Sequence, residues 1–335
     1  MSDKKLKVAV VGAGSWGSVV ATLLADKVET VIWARTQSVA ESINQFHTNP
    51  AYLGSYMLSK NLSATDDLEE ASGEADILII AIPAKWISDF FNSQKFIPKQ
   101  SAVVLSLVKG LEPLHSMRVT EIFRQKYPEL PIGILTGPNL AQEVLGKQPS
   151  ASVVAFDDEQ TAKVIQELFL CDHWRLYRNN DVTGCEIAGA AKNVLAIASG
   201  IVAGLGFGAN TQAALVTRSL AELSRLGVAM GGNAETFSGL AGLGDLLATC
   251  MSEKSRNRQV GFALGQGAQL AALQEGMKMV AEGITTAKPL LELAALHRVE
   301  MPVAEQVKAI LFDDIPMEEA ILSLMRREIK SEYKY

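Results

Sequence analysis

Two rhythms of apolar residues divide the chain. Up to residue 177, short apolar runs alternate with longer helix-like stretches. The runs at 8–11 (VAVV), 29–34 (ETVIWA), 76–82 (DILIIAI), 102–107 (AVVLSL), 132–135 (IGIL), 152–155 (SVVA) and 174–177 (WRLY) predict strands. Those at 76–82 and 102–107 are apolar almost throughout, as strands of a parallel sheet covered on both faces must be. Helices are predicted at 18–26, 84–91, 141–145 and 159–170, and a loop at 46–58. From residue 181 the strand signal fades, and helical patterns follow at 182–202, 209–230, 255–265, 287–296, 303–311 and 317–328. The segment 182–202 is apolar nearly all round, which predicts a buried helix. The expected architecture is α/β: a doubly wound, mostly parallel sheet in residues 1–180, then an all-α unit in residues 181–335.

The first run ends in Gly12-Ala13-Gly14-Ser15-Trp16-Gly17 and opens a helix. A strand, a G-x-G-x-x-G turn and a helix form the dinucleotide-binding turn of a Rossmann-type fold. Gly12 permits the sharp turn, Gly14 lets backbone approach a pyrophosphate, and Gly17 lets helix pack on strand. The amides of Ser15 and Trp16 face the phosphates, where the helix dipole favours negative charge. At the end of the second strand an NAD site usually presents an acid to the ribose; this chain has Trp33-Ala34-Arg35-Thr36. A guanidinium suits a 2′-phosphate, so Arg35 predicts preference for NADPH, with NADH also usable.

Composition narrows the function. The 335 residues are 48% hydrophobic and 20% charged, with net charge −6. That predicts a globular protein of two domains and disfavours nucleic-acid binding. Three cysteines without a C-x-x-C pair suit a reduced cytoplasm. The charged residues 1–7 lead straight into a strand, which predicts no signal peptide. The longest apolar runs, such as 77–82, are expected to be far too short to span a bilayer. The four histidines have no metal-ligand spacing, so no metal is expected.

Lys192 lies within the most apolar helix pattern. An unpaired buried ammonium costs several kcal/mol, so this lysine must be ion-paired in the core or face a site. Burial can also lower its pKa toward the range useful for proton transfer. Lys109 follows a central strand, where open α/β sheets bind ligands, although a surface role fits equally. Asp245 follows a glycine-rich turn and reads either as a helix N-cap or as a site carboxylate. Ser255-Arg256-Asn257-Arg258 opens a helix and could cradle a phosphate.

Together these stretches resemble the NAD(P)H-dependent sn-glycerol-3-phosphate dehydrogenase family in its bacterial biosynthetic form. The resemblance rests on GAGSWG (12–17), VKGLE (108–112), GP-x-x-A-x-E (137–143), GAAKNVLAIASG (189–200), GLGFGAN (204–210), GLAGLGDL (239–246), SRNR (255–258) and AEG (281–283). It implies reversible reduction of dihydroxyacetone phosphate to sn-glycerol 3-phosphate for phospholipid synthesis, by a cytoplasmic homodimer. It makes Lys192 the proton donor or acceptor at the substrate C2 oxygen, beside Lys109 and Asp245. It assigns Gly137, Asn139, Ser255, Arg256 and Asn257 to substrate. Ser15, Trp16, Arg35, Lys109, Ala141, Arg256, Val280 and Glu282 fall to the cofactor. The chain departs from the family at Asn139, where Ser or Thr is usual, at Ala191 and Ala203, and at Gly54. A dehydrogenase acting on a 3-hydroxy acid or ketopantoate and a silent NADP(H)-binding regulator are the competing readings.

Overall fold

The structure, a computed structural model, describes residues 6–93, 96–276 and 281–328. The first half comprises β1 (Lys7–Val11), α1 (Ser15–Ala25), β2 (Glu29–Trp33), α2 (Gln37–Phe46), α3 (Pro50–Leu53), β3 (Ser63–Thr65) and α4 (Leu68–Ser72). It continues through β4 (Ile77–Ile80), α5 (Ile87–Ser93), β5 (Val103–Ser106), the small hairpin β6 (Leu111–Glu112) and β7 (Met117–Arg118), and α6 (Val119–Lys126). It ends with β8 (Ile132–Thr136), α7 (Ala141–Leu145), β9 (Ser150–Ala155), α8 (Glu159–Leu168) and β10 (Trp174–Asn179). Eight strands form one sheet in the order β10-β9-β8-β5-β4-β1-β2-β3. The strands from β3 to β8 are mutually parallel; β9 joins β8 antiparallel, and β10 follows β9. Successive residues of one strand serve opposite faces: Val8 and Val10 pack toward α1, whereas Ala9 and Val11 join Phe90 and Phe123 on the other side. That is a doubly wound sheet of Rossmann type, as expected.

Helices then take over: α9 (Val182–Gly204), α10 (Ala209–Ala229), α11 (Ala234–Ser238), α12 (Asp245–Met251), α13 (Arg256–Gly265), α14 (Leu270–Gly276), α15 (Glu282–Leu296), α16 (Pro302–Phe312) and α17 (Met317–Met325). The axis of this all-α half is α9, buried on every side. It has 23 residues, and its 18-residue apolar stretch, with mean hydropathy 1.5, makes it long and apolar enough to cross a membrane, which corrects the expectation that the longest apolar runs are too short; 94% of that stretch is buried inside the fold. Its buried polar side chains Glu186, Lys192, Asn193 and Ser199 are paired. Glu186 accepts from the Thr120 amide at 2.9 Å and from Arg118 at 3.2 Å, and Ser199 donates to the Cys250 carbonyl at 3.0 Å. Glycines bring α13 against α9. A Cβ on Gly200 would lie 2.1 Å from the Arg258 carbonyl oxygen, and one on Gly261 would lie 2.0 Å from that of Ile197. Such backbone contact is closed to any larger residue, and it delivers the start of α13 to the middle of α9.

The structure adds elements to the expected set. Residues 37–46 form a helix whose apolar positions Val39, Ala40, Ile43 and Phe46 share one face, of which only Ala40 and Ile43 are buried. The 46–58 loop contains α3 and an isolated bridge between Thr48 and Met57. Residues 119–126 are helical, and a single π-helical turn at Leu240–Gly244 leads into α12. Helix α15 starts five residues before the expected position 287. Gly283, the β-branched run 284–286 and Pro289 all weaken its helical signal. Helix α17 ends at Met325 rather than 328.

Candidate active site

The glycine turn follows β1 at the point where the sheet's strand order reverses, between β1 and β4. Gly12 has φ +119°, and a Cβ there would meet the Ala81 carbonyl oxygen at 2.8 Å. A Cβ on Gly17 would lie 2.1 Å from the Gly12 carbonyl oxygen, so strand and helix touch at this residue. Around Gly14 nothing lies within 4 Å of where a Cβ would sit, so the backbone is open to a ligand. Gly14 caps α1 without any side-chain hydrogen bond, and the positive end of the helix dipole there favours an incoming anion. The turn therefore fits a dinucleotide pyrophosphate. Trp16 sets its ring edge-on to Trp174, centroids 5.5 Å apart. Arg35 is exposed just past the end of β2.

The second cluster joins the two halves. Lys109 lies three residues past β5 and is largely buried. Its Nζ donates to the Gly137 carbonyl at 2.8 Å, to Asn139 Oδ1 at 2.5 Å and to Asp245 Oδ2 at 2.8 Å. Lys192, 6% exposed, donates to Asp245 Oδ1 at 2.5 Å and to Thr249 Oγ1 at 2.8 Å. Asp245 is thus a carboxylate shared by two ammonium groups, and not a cap: it is the first residue of α12, with its side chain turned to the lysines. One buried carboxylate and two cations leave the cluster with excess positive charge. The fold bears this because each charge has close partners.

The donors are unequally used. A lysine ammonium has three. All three of Lys109 meet acceptors, whereas Lys192 has two partners among the described residues and one donor to spare. Burial pushes the Lys109 ammonium down to about 7; the Lys192 charge adds to the effect and Asp245 opposes it.

The remaining assigned residues surround this pair. Gly137 and Asn139 follow β8, and the Asn139 amide nitrogen is buried without a partner among the described residues. Ser255 caps α13, its Oγ accepting from the Arg258 amide at 3.3 Å. Arg256 is exposed in the first turn and attracts Glu282, whose carboxyl is raised by burial with Arg256 opposing. Asn257 Nδ2 donates to Asn193 Oδ1 at 2.8 Å, and its Oδ1 accepts from the Gly283 amide at 2.9 Å. Ala141 opens α7 and is half-buried. Val280 lies outside the described residues.

Two site residues escape the sequence reading. Thr249 lies one turn after Asp245 on α12, and its hydroxyl donates back to the Asp245 carbonyl at 2.7 Å. Recognising α12 as a helix would have put both on one face. Asn193 donates to the Lys109 carbonyl at 2.7 Å and so ties α9 to the end of β5; its position beside Lys192 was the available signal.

Known proteins resemble this chain along nearly its whole length. The NAD-dependent glycerol-3-phosphate dehydrogenase N-terminus family matches residues 7–162, and the corresponding C-terminus family matches residues 181–322. A glycerol-3-phosphate dehydrogenase [NAD(P)+] of Thermobifida fusca is 44% identical over 330 residues, 97% of this chain and 98% of that one. Another, from Sphingopyxis alaskensis, is 42% identical, covering 98% of this chain and 97% of its own. The crystal structure of glycerol-3-phosphate dehydrogenase from Coxiella burnetii superposes with TM-score 0.92 at 34% identity, over 96% of this chain and 99% of that one.

Proposed function

The chain belongs to the NAD-dependent glycerol-3-phosphate dehydrogenase family, and from that premise we propose that it reduces dihydroxyacetone phosphate to sn-glycerol 3-phosphate with NADPH or NADH, supplying glycerophospholipid synthesis. The balanced reaction consumes one substrate, one reduced coenzyme and one proton. The observation that carries the reading is the spare donor of Lys192, buried within a cationic pair at the junction of the two halves. The division of labour follows: residues 1–180 form the coenzyme-binding unit, with Gly137 and Asn139 reaching the substrate, and residues 181–335 form the substrate-binding and catalytic unit, with Glu282 reaching the coenzyme. The setting is the cytoplasm; family resemblance is the support for a homodimer.

When bound, the reduced nicotinamide supplies the hydride that substrate C2 takes up. The C2 oxygen then gains negative charge, which an adjacent ammonium stabilises and neutralises. Lys192 gives its free proton to that oxygen, while Asp245 and Thr249 fix the direction of the amine. Lys109 keeps a second positive charge close by and orients Asn139 and the Gly137 carbonyl. Arg256, Ser255 and Asn257 at the start of α13 hold the substrate phosphate. Glu282 borders the coenzyme. In the reverse direction Lys192 accepts the proton from the C2 hydroxyl.

Oxidation of NADPH by dihydroxyacetone phosphate tests the reading, repeated with NADH and with ketopantoate. Turnover of the triose phosphate alone is the expected result; turnover of ketopantoate instead would favour a carboxylate substrate. Arg35→Asp should reverse the coenzyme ratio toward NADH, because a carboxylate repels a 2′-phosphate and accepts from a 2′-hydroxyl. An unchanged ratio would show that another group reads the ribose.

The pH dependence follows from Lys109. Raising the pH through about 7 strips its proton and removes positive charge from the pocket. Therefore kcat/KM for reduction should decline above about pH 7. In Lys109→Arg, whose guanidinium stays charged, that alkaline limb should disappear even though activity is lower. A limb of equal position in the variant would assign the titration elsewhere.

A further inference from the structure

Asn49 precedes α3 within the segment read as a loop, yet it is 1% exposed. Its Nδ2 donates to the Ala13 carbonyl at 2.9 Å and to Ser18 Oγ at 3.0 Å. Three residues on, the Tyr52 carbonyl accepts from Ser15 Oγ at 3.0 Å. Residues 49–52 therefore grip both arms of the glycine turn: the carbonyl between Gly12 and Gly14, and the first turn of α1.

A planar trans peptide directs its C=O and N–H oppositely. With the Ala13 carbonyl held on Asn49, the Gly14 amide must point the other way. We propose that Asn49 is a positioning residue for the coenzyme, fixing the Ala13–Gly14 peptide so that the Gly14 amide faces the pyrophosphate. This rests on the glycine turn being the coenzyme site. The chemistry of the side chain supports it. Asn49 Oδ1 is buried with no partner among the described residues. An unsatisfied buried acceptor is destabilising, so packing alone favours an apolar residue here. What the fold gains from asparagine is its two donors, and both are spent on the turn and the helix behind it.

Asn49→Asp preserves shape, removes both donors and sets an anion against the Ala13 carbonyl. The Kd of NADPH, measured by fluorescence titration of the purified enzyme, should rise at least about tenfold, as expected for losing an oriented hydrogen bond to an anion. The kcat at saturating NADPH and the KM of dihydroxyacetone phosphate should stay within about twofold of the parent. Ser18→Ala removes only the second acceptor and should leave the NADPH Kd unchanged. Should the aspartate variant not fold, Asn49→Ser, too short to reach Ala13, serves the same comparison. An NADPH Kd within about twofold of the parent overturns the proposal, and so does equal weakening toward both ligands, which marks general loosening. If the parent enzyme itself fails to bind NADPH, the coenzyme reading falls, and this inference with it.

Discussion

Lys192→Ala is expected to lower kcat for dihydroxyacetone phosphate reduction at least about a hundredfold, the low end of what a positioned general acid contributes. The amine has two fixed partners and one donor left for substrate, so removing it takes away both the proton and the charge that meets the developing alkoxide. The fold should survive, because Asp245 keeps its pairing with Lys109 at 2.8 Å. Steady-state kcat measured beside a melting curve checks both statements. A kcat within tenfold of the parent, at unchanged Tm, would take the proton-transfer role from Lys192.

Arg256→Ala should raise KM for dihydroxyacetone phosphate by about one to two orders of magnitude, as losing a charge-assisted contact to phosphate does. It should alter KM for dihydroxyacetone, which has no phosphate, far less. The reason is position. Ser255 caps α13, Asn257 is anchored to Asn193 and Gly283, and Arg256 stands exposed between them at a helix N-terminus. Parallel KM measurements on the two ketones decide the matter, and equal increases on both would remove the phosphate clamp. Glu282 also attracts Arg256, so the guanidinium is held near the mouth of the pocket before substrate arrives.

Much of the architecture was legible because its signals are local. The buried strands at 77–80 and 103–106 have apolar residues on both faces, and the glycine turn is flanked by a strand pattern and a helix pattern that give its spacing meaning. Helix α9 announced itself by unbroken apolarity. Elements near the surface were harder to see. Helix α2 buries two side chains, and the helical character of α15 is masked by Gly283 and Pro289. The site was legible as separate residues but not as a cluster. Lys109, Lys192 and Asp245 lie 136 positions apart at the extremes. What joins them is the packing of α12 against α9, the Asn193 hydrogen bond from α9 to the Lys109 carbonyl at 2.7 Å, and the π-helical turn that sets Asp245 at the head of α12. No periodicity reports such contacts. The capping reading of Asp245 fails on such contacts: its two oxygens meet Lys109 and Lys192, and Gly244 is the N-cap of α12. Asn49 was invisible for the same reason: its partners, Ala13 and Ser18, belong to an element more than thirty residues upstream.

The most direct test is a crystal structure of the enzyme with oxidised coenzyme and dihydroxyacetone phosphate bound together. The substrate's C2 oxygen should lie about 2.6–3.2 Å from Lys192 Nζ, within reach of a proton, with its phosphate against Arg256. An amine turned to solvent, or standing ~12 Å from that oxygen and so several times beyond hydrogen-bonding range, would contradict the account.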